Sequence, residues 1–190
     1  MKQIISFSIF LICVSSFSQS ILENDLPYYE MPDHPQNSTA GTMAARMVDA
    51  LGFRFYWASK DLTKKDLSFK ANDSGRTSEE TINHIYNLSK VILNSTLKKQ
   101  NTSTKEEFSY KELRAKTLIN LKTSADILRT SDDISQFKII FGEQEIPFWN
   151  QINGPIADAI WHCGQLVIYR RSTGNPINPK VNHFLGKIIE

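Results

Sequence analysis

Asp158 and His162 stand four residues apart in the segment Ile156-Ala157-Asp158-Ala159-Ile160-Trp161-His162-Cys163-Gly164-Gln165. On a helix that spacing brings both side chains out of one face, about 5–6 Å apart at Cβ, which is a chelating arrangement. His84 lies on a second stripe, Glu80, His84 and Asn87 or Leu88, beside the apolar Ile85 and Leu88. One imidazole from that segment can meet the carboxylate and imidazole of the other inside a bundle. Imidazole with carboxylate favours zinc, nickel, iron or manganese, and three protein ligands leave open positions for water or substrate. Metal-bound water ionises near neutral pH and attacks electrophiles. Gln165 and Tyr169 continue the Asp158 stripe, so with Glu80 they are expected to line the surrounding pocket. The plainer reading of an i, i+4 Asp and His is a hydrogen-bonded or solvated pair that holds no ion.

Such side chains need long helices to carry them, and the apolar periodicity supplies these. Met43, Met47, Ala50, Leu51, Phe53, Arg54 and Trp57 recur at three- and four-residue intervals and predict a first helix from Ser38 to about Leu62. Lys64 to Arg76 reads as a connection. Thr77-Ser78-Glu79-Glu80 is a capping box that opens a second helix, carried on by Ile82, Ile85, Leu88, Val91, Ile92 and Leu97. Ser109-Tyr110-Lys111-Glu112 opens a third, with Leu113, Leu118, Leu121, Ala125 and Leu128 inward and a stop at Ser131 to Asp133. Phe137 to Phe148 shows no partner strand and reads as a long crossover loop. A last helix runs from about Phe148 to Ser172, kinked at Gly154-Pro155 and ended by Gly174 and Pro176. The simplest architecture is all-α, a four-helix bundle with a long crossover before its last helix. Trp57, Trp149 and Trp161 are read as core.

The first residues have another purpose. Lys2 precedes an apolar run from Ile4 to Val14, then Ser16, Phe17 and Ser18, the pattern of a signal peptide over residues 1–18. The run is well short of the roughly 20 apolar residues of a membrane span, and bulky Ile12 before Cys13 argues against lipid attachment. Residues 19–37, with Pro27, Pro32 and Pro35, suit an extended lead-in across the surface of a single domain at 38–190. After cleavage Cys163 is the sole cysteine, so no intramolecular disulfide can form, and it reads as a buried thiol. A net charge of +2 without a basic stripe excludes a nucleic-acid partner. The Asn-x-Ser/Thr triplets at Asn37, Asn72, Asn87, Asn94 and Asn101 carry no weight in so Asn- and Ser-rich a chain.

The segment Trp149 to Gly186, especially Asn153 to Gln165 with the following Arg170-Arg171, resembles the last helix and tail of the DinB-like superfamily of helical bundles, and so does Thr77 to Tyr86 around His84. The likeness extends over most of the mature chain, its most specific part being His162-Cys163-Gly164-Gln165 with the basic pair. The resemblance implies a metal site of three histidines, one on the second helix and two at i, i+4 on the last. His84 and His162 match two of these positions, and Asp158 stands at the third. Asp158 either ligates as a carboxylate, shifting preference toward harder metals, or marks a degenerate, empty site. Relatives include thiol transferases and thiol-dependent isomerases, chemistry that suits the cytosol better than an exported protein.

The expectation is a periplasmic or secreted metal-dependent hydrolase with His84, Asp158 and His162 as ligands and an unknown small-molecule substrate. The alternative is a non-enzymatic bundle that binds a small molecule or partner. No stable membrane insertion is expected after cleavage. A homodimer is suggested by the near-contiguous Phe53, Phe55, Tyr56 and Trp57. Arg170 and Arg171 read as an anion site or as complements to a helix dipole, while His34 and His183 read as surface residues.

Overall fold

The structure is a computed structural model that describes residues 25–103 and 106–190; the expected signal peptide lies outside the described residues. Side-chain caps open the helices, each taking up backbone donors that a first turn leaves free. Thr39 and Thr42 cap α1 (Ala40–Ser59) reciprocally. Thr63 and Asp66 do so for a short α2 (Lys64–Ser68), inside the expected connection. Thr77 with Glu80 opens α3 (Ser78–Thr96), and Ser109 with Glu112 opens α4 (Tyr110–Arg129).

The last helix begins differently. A short α5 (Trp149–Gln151) passes through a π-helical turn over Ile152–Ile156 into α6 (Ala157–Ser172). Within that turn Gly154 leaves helical geometry at φ −85° and ψ −112°, and Pro155 brings no backbone N–H. The expected kink is there.

Helix α1 packs on α4 and α6, and α3 packs on the same two, which makes a helical bundle. Its centre is apolar: Val48, Leu51 and Phe55 from α1, Ile82, Ile85 and Ile92 from α3, Leu118, Leu121 and Leu128 from α4, and Ala159 and Leu166 from α6 are all buried. Each large aliphatic side chain so buried stabilises the fold by about 1.5–3 kcal/mol. Among the described residues no helix is long and apolar enough to cross a membrane.

Four expectations change. The crossover is a β-hairpin rather than a loop: β1 (Lys138–Phe141) pairs antiparallel with β2 (Gln144–Pro147), with Ile139 opposite Ile146 and Phe141 opposite Gln144. Gly142 turns the hairpin at φ 59°. A parallel bridge from Gln100 to Ile140 fastens it beside the end of α3.

The aromatic run on α1 is interior, with Phe53, Phe55, Tyr56 and Trp57 all buried, and offers no face for a second copy. The cover comes from α4, α6 and the lead-in, whose Tyr29 sets its ring edge-on to Tyr56 and tilted against Trp57, its backbone carbonyl accepting from Trp57 Nε1 at 3.2 Å. Trp149 and Trp161, read as core, are instead 77% and 73% exposed, because they sit on outer faces of α5 and α6.

The lead-in is likewise part of the core, since Leu26, Tyr28 and Met31 are buried. Tyr28 donates to Asp49 Oδ1 at 3.2 Å, and Asp49, fully buried, is paired with Arg129 at 2.9 Å. Burial and the Asp49 carboxylate push the Tyr28 phenol upward. Gly52 makes room for the ring: a Cβ there would lie 2.4 Å from Tyr28 Cε2. The tail closes over the lead-in, Met31 N donating to Gly186 O at 2.8 Å beside the small pair β3 (Val181–Asn182) and β4 (Lys187–Ile188).

Candidate metal centre

His84 is carried by α3 at the shoulder of its buried face, where Ile82 and Ile85 point into the core. On α6 the line Ala159, Cys163 and Leu166 is buried, and Asp158 and His162 project from the side that meets α3. His84 Nε2 lies 3.1 Å from Asp158 Oδ2, and His162 Nε2 lies 3.4 Å from Asp158 Oδ1. The two imidazoles stand edge to face, centroids 4.7 Å apart and planes at 89°. One ligand atom from each of the three residues falls within 4.8 Å of the others, so the group could hold a metal ion. A tetrahedral ion with bonds of about 2.0–2.2 Å needs its ligand atoms roughly 3.3–3.5 Å apart, within reach of small side-chain rotations.

The donor set itself fits an ion. His162 Nδ1 is 2.7 Å from Gln165 Oε1, a carbonyl oxygen that can only accept, so the proton sits on Nδ1. In the neutral ring Nε2 then carries a lone pair that faces a carboxylate oxygen, an arrangement a cation between them relieves. A partner that fixes tautomer and ring orientation is what metal-ligating histidines ordinarily have. Exposure is graded, with the His162 side chain 12%, His84 28% and Asp158 46% exposed, so one side stays open to solvent.

Beside His84 lies a polar cleft of about 460 Å³, lined by Arg76, Glu80, Asn83 and Asn87 among others. Glu80 thus borders the site, but its carboxylate is engaged elsewhere: Oε2 accepts from Thr77 N at 2.7 Å, and that bond with the Thr77 hydroxyl holds it below the usual range. Gln165 occupies the expected supporting place. Tyr169, one turn further on, turns its ring onto Phe69 at 5.4 Å. Asn83 and Arg76 were not foreseen, although Glu80, Asn83, His84 and Asn87 form one i, i+3, i+4, i+7 polar stripe.

Arg170 binds backbone rather than an anion. It is buried and donates from Nη1 to Trp57 O at 2.8 Å and Ala58 O at 3.2 Å, and from Nε to Asn175 O at 2.6 Å, closing the C-terminal end of α1 onto α6. Cys163 is buried and its thiol is pushed up to about 12 by desolvation, which suits packing and not nucleophilic attack. His34 and His183 are both exposed, as expected, and the His183 ring lies edge-on to Phe53 at 5.7 Å.

No protein-family model matches the chain, and neither a curated protein nor a solved structure matches it significantly.

Proposed function

We propose that this chain is an exported member of the DinB-like superfamily that binds a divalent transition metal at His84, Asp158 and His162 and hydrolyses a small polar substrate. The observation that carries this reading is the meeting of one α3 histidine with an α6 carboxylate and histidine within 4.8 Å. The resemblance of Asn153 to Gln165 to the last helix of that superfamily supports it, as does the signal-like pattern of residues 1–18 for delivery to the periplasm or exterior.

Two imidazoles and a carboxylate suit zinc, with iron, manganese and nickel as further occupants. Such an ion, when bound, acidifies a coordinated water and polarises a substrate oxygen. The chain's own residues then orient and recognise. Gln165 holds the His162 ring through Nδ1. Arg76, Asn83 and Asn87 line the cleft and offer donors to a polar or anionic substrate.

A second reading, a bundle that binds a ligand without turning it over, is favoured by one feature: the Glu80 carboxylate at the cleft is already committed to the α3 cap. The readings separate in one assay. Metal-loaded mature protein is tested on p-nitrophenyl acetate and p-nitrophenyl phosphate, before and after chelation. Hydrolysis lost on chelation, restored by the ion and absent from His84→Ala supports the enzyme. A rate equal in wild type and His84→Ala contradicts it.

A further inference from the structure

A larger cavity, about 800 Å³, opens on the other side of α6. At about 100° per residue, Ile160, Gly164, Val167 and Arg171 fall on one side of the helix, and Asp158, His162 and Gln165 on the opposite side. The buried line Ala159, Cys163 and Leu166 runs between them. The cavity is therefore separate from the metal centre. Cys163 and Ile168 line it as well, and its other walls are Arg54 from α1 and the tail from Pro176 to His183.

Its lining is mainly apolar, with Arg54, Arg171, Asn178 and His183 as its polar groups, and its volume falls in the range of small-molecule sites. The charged residues lining it are Arg54 and Arg171, and among the described residues no carboxylate lines it. Arg54 is half-buried on α1, and its hydrogen bond goes from Nη1 to the Ala50 carbonyl at 3.0 Å. Among the described residues it has no ion pair. A guanidinium held partly out of water against an apolar wall, without a counter-charge, is costly, and a bound anion offsets that cost. The planar guanidinium fork matches a carboxylate in particular.

Gly164 gives an independent sign. A glycine inside a helix is destabilising by roughly 0.5–1 kcal/mol relative to alanine. A Cβ at Gly164 would meet nothing within 4 Å, so close packing does not demand the glycine. What it does is leave the α6 wall of the cavity open.

We propose that this cavity binds a small apolar carboxylate, whose charged end meets Arg54 and Arg171 and whose hydrocarbon lies along Ile160 and Val167. The site does not depend on the metal centre, and the test is done on metal-free, chelator-treated mature protein. Octanoate and 1-octanol are titrated calorimetrically. The expected result is octanoate binding about tenfold tighter than the neutral alcohol. Arg54→Gln and Arg171→Gln each erase most of that preference, Gly164→Leu abolishes binding by filling the space, and His84→Ala changes nothing. Arg171 is exposed, so its variant keeps the charge test valid should Arg54→Gln fail to fold, which circular dichroism reports. Equal affinity for the two probes, no binding at millimolar octanoate, or undiminished binding by Gly164→Leu overturns the proposal.

Discussion

His162 donates from Nδ1 to Gln165 Oε1 at 2.7 Å, which leaves Nε2 facing Asp158 Oδ1 at 3.4 Å beside the His84 ring. The pair lies one helical turn apart, so α6 carries a candidate ligand together with the group that orients it. Replacing Gln165 by Leu keeps the helix and removes the orienting acceptor. Metal affinity should fall about 10–100-fold, measured by competition with a chromophoric chelator. An affinity equal to wild type would mean that Gln165 does nothing for the ligand.

Asp66 ties the start of α2 to the residues that follow α6. It accepts from Thr63 N at 2.7 Å, from Asn175 Nδ2 at 2.8 Å and from the Thr173 hydroxyl. Burial raises its carboxyl, but the hydrogen bonds from Thr173, Asn175 and Thr63 outweigh this and hold it at about 2, below the ordinary 3.8. The depressed value means that the unfolded chain binds more protons, so this contribution is complete above 3.8 and disappears as pH falls toward about 2. Asp66→Ala should cost about 2–4 kcal/mol near neutral pH, from the lost cap and charge-assisted bonds. Thermal melts across that acid window should lose stability in wild type more steeply than in the variant. Parallel curves would refute the assignment.

Gln151 is fully buried where α5 meets the π-helical turn, and among the described residues neither its amide oxygen nor its nitrogen has a hydrogen-bond partner. A buried polar group without a partner costs about 1–3 kcal/mol. Gln151→Met preserves length and removes the polar atoms, so it should raise stability by about 1–2 kcal/mol, or the melting temperature by roughly 2–8 °C. A lower melting temperature would show that the amide is used.

Much of the helical framework was legible in local chemistry. Thr77 with Glu80 and Ser109 with Glu112 announce α3 and α4, and both boxes form. The same signal stands at Thr63 with Asp66, but a helix of five residues has too little periodicity to declare itself. Phe141-Gly142-Glu143-Gln144 carries a two-residue turn with glycine first, yet Ile139 and Ile140 without an obvious alternating partner concealed the hairpin. Long-range packing was hidden altogether. Nothing near Tyr28 shows that its ring lies over Gly52, 24 positions away, and an aromatic run such as Phe53 to Trp57 reads alike whether another helix or another copy covers it.

The meeting of His84 with Asp158 and His162 was legible for a simpler reason. An i, i+4 pair is fixed by helix geometry, and one further residue on the shoulder of a neighbouring helix had only to face it. Glu80 and Tyr169 followed the same stripes, but a cap claims the first and Phe69 the second, and such competition is invisible in spacing.

Metal binding at His84, Asp158 and His162 is tested by elemental analysis of mature protein purified without an immobilised-metal step, comparing wild type with His84→Ala and Asp158→Ala. Near-stoichiometric zinc, nickel, iron or manganese is expected in wild type, with its loss from both variants. Wild type that stays metal-free after incubation with zinc, nickel or manganese, or variants that retain the metal in full, would contradict it.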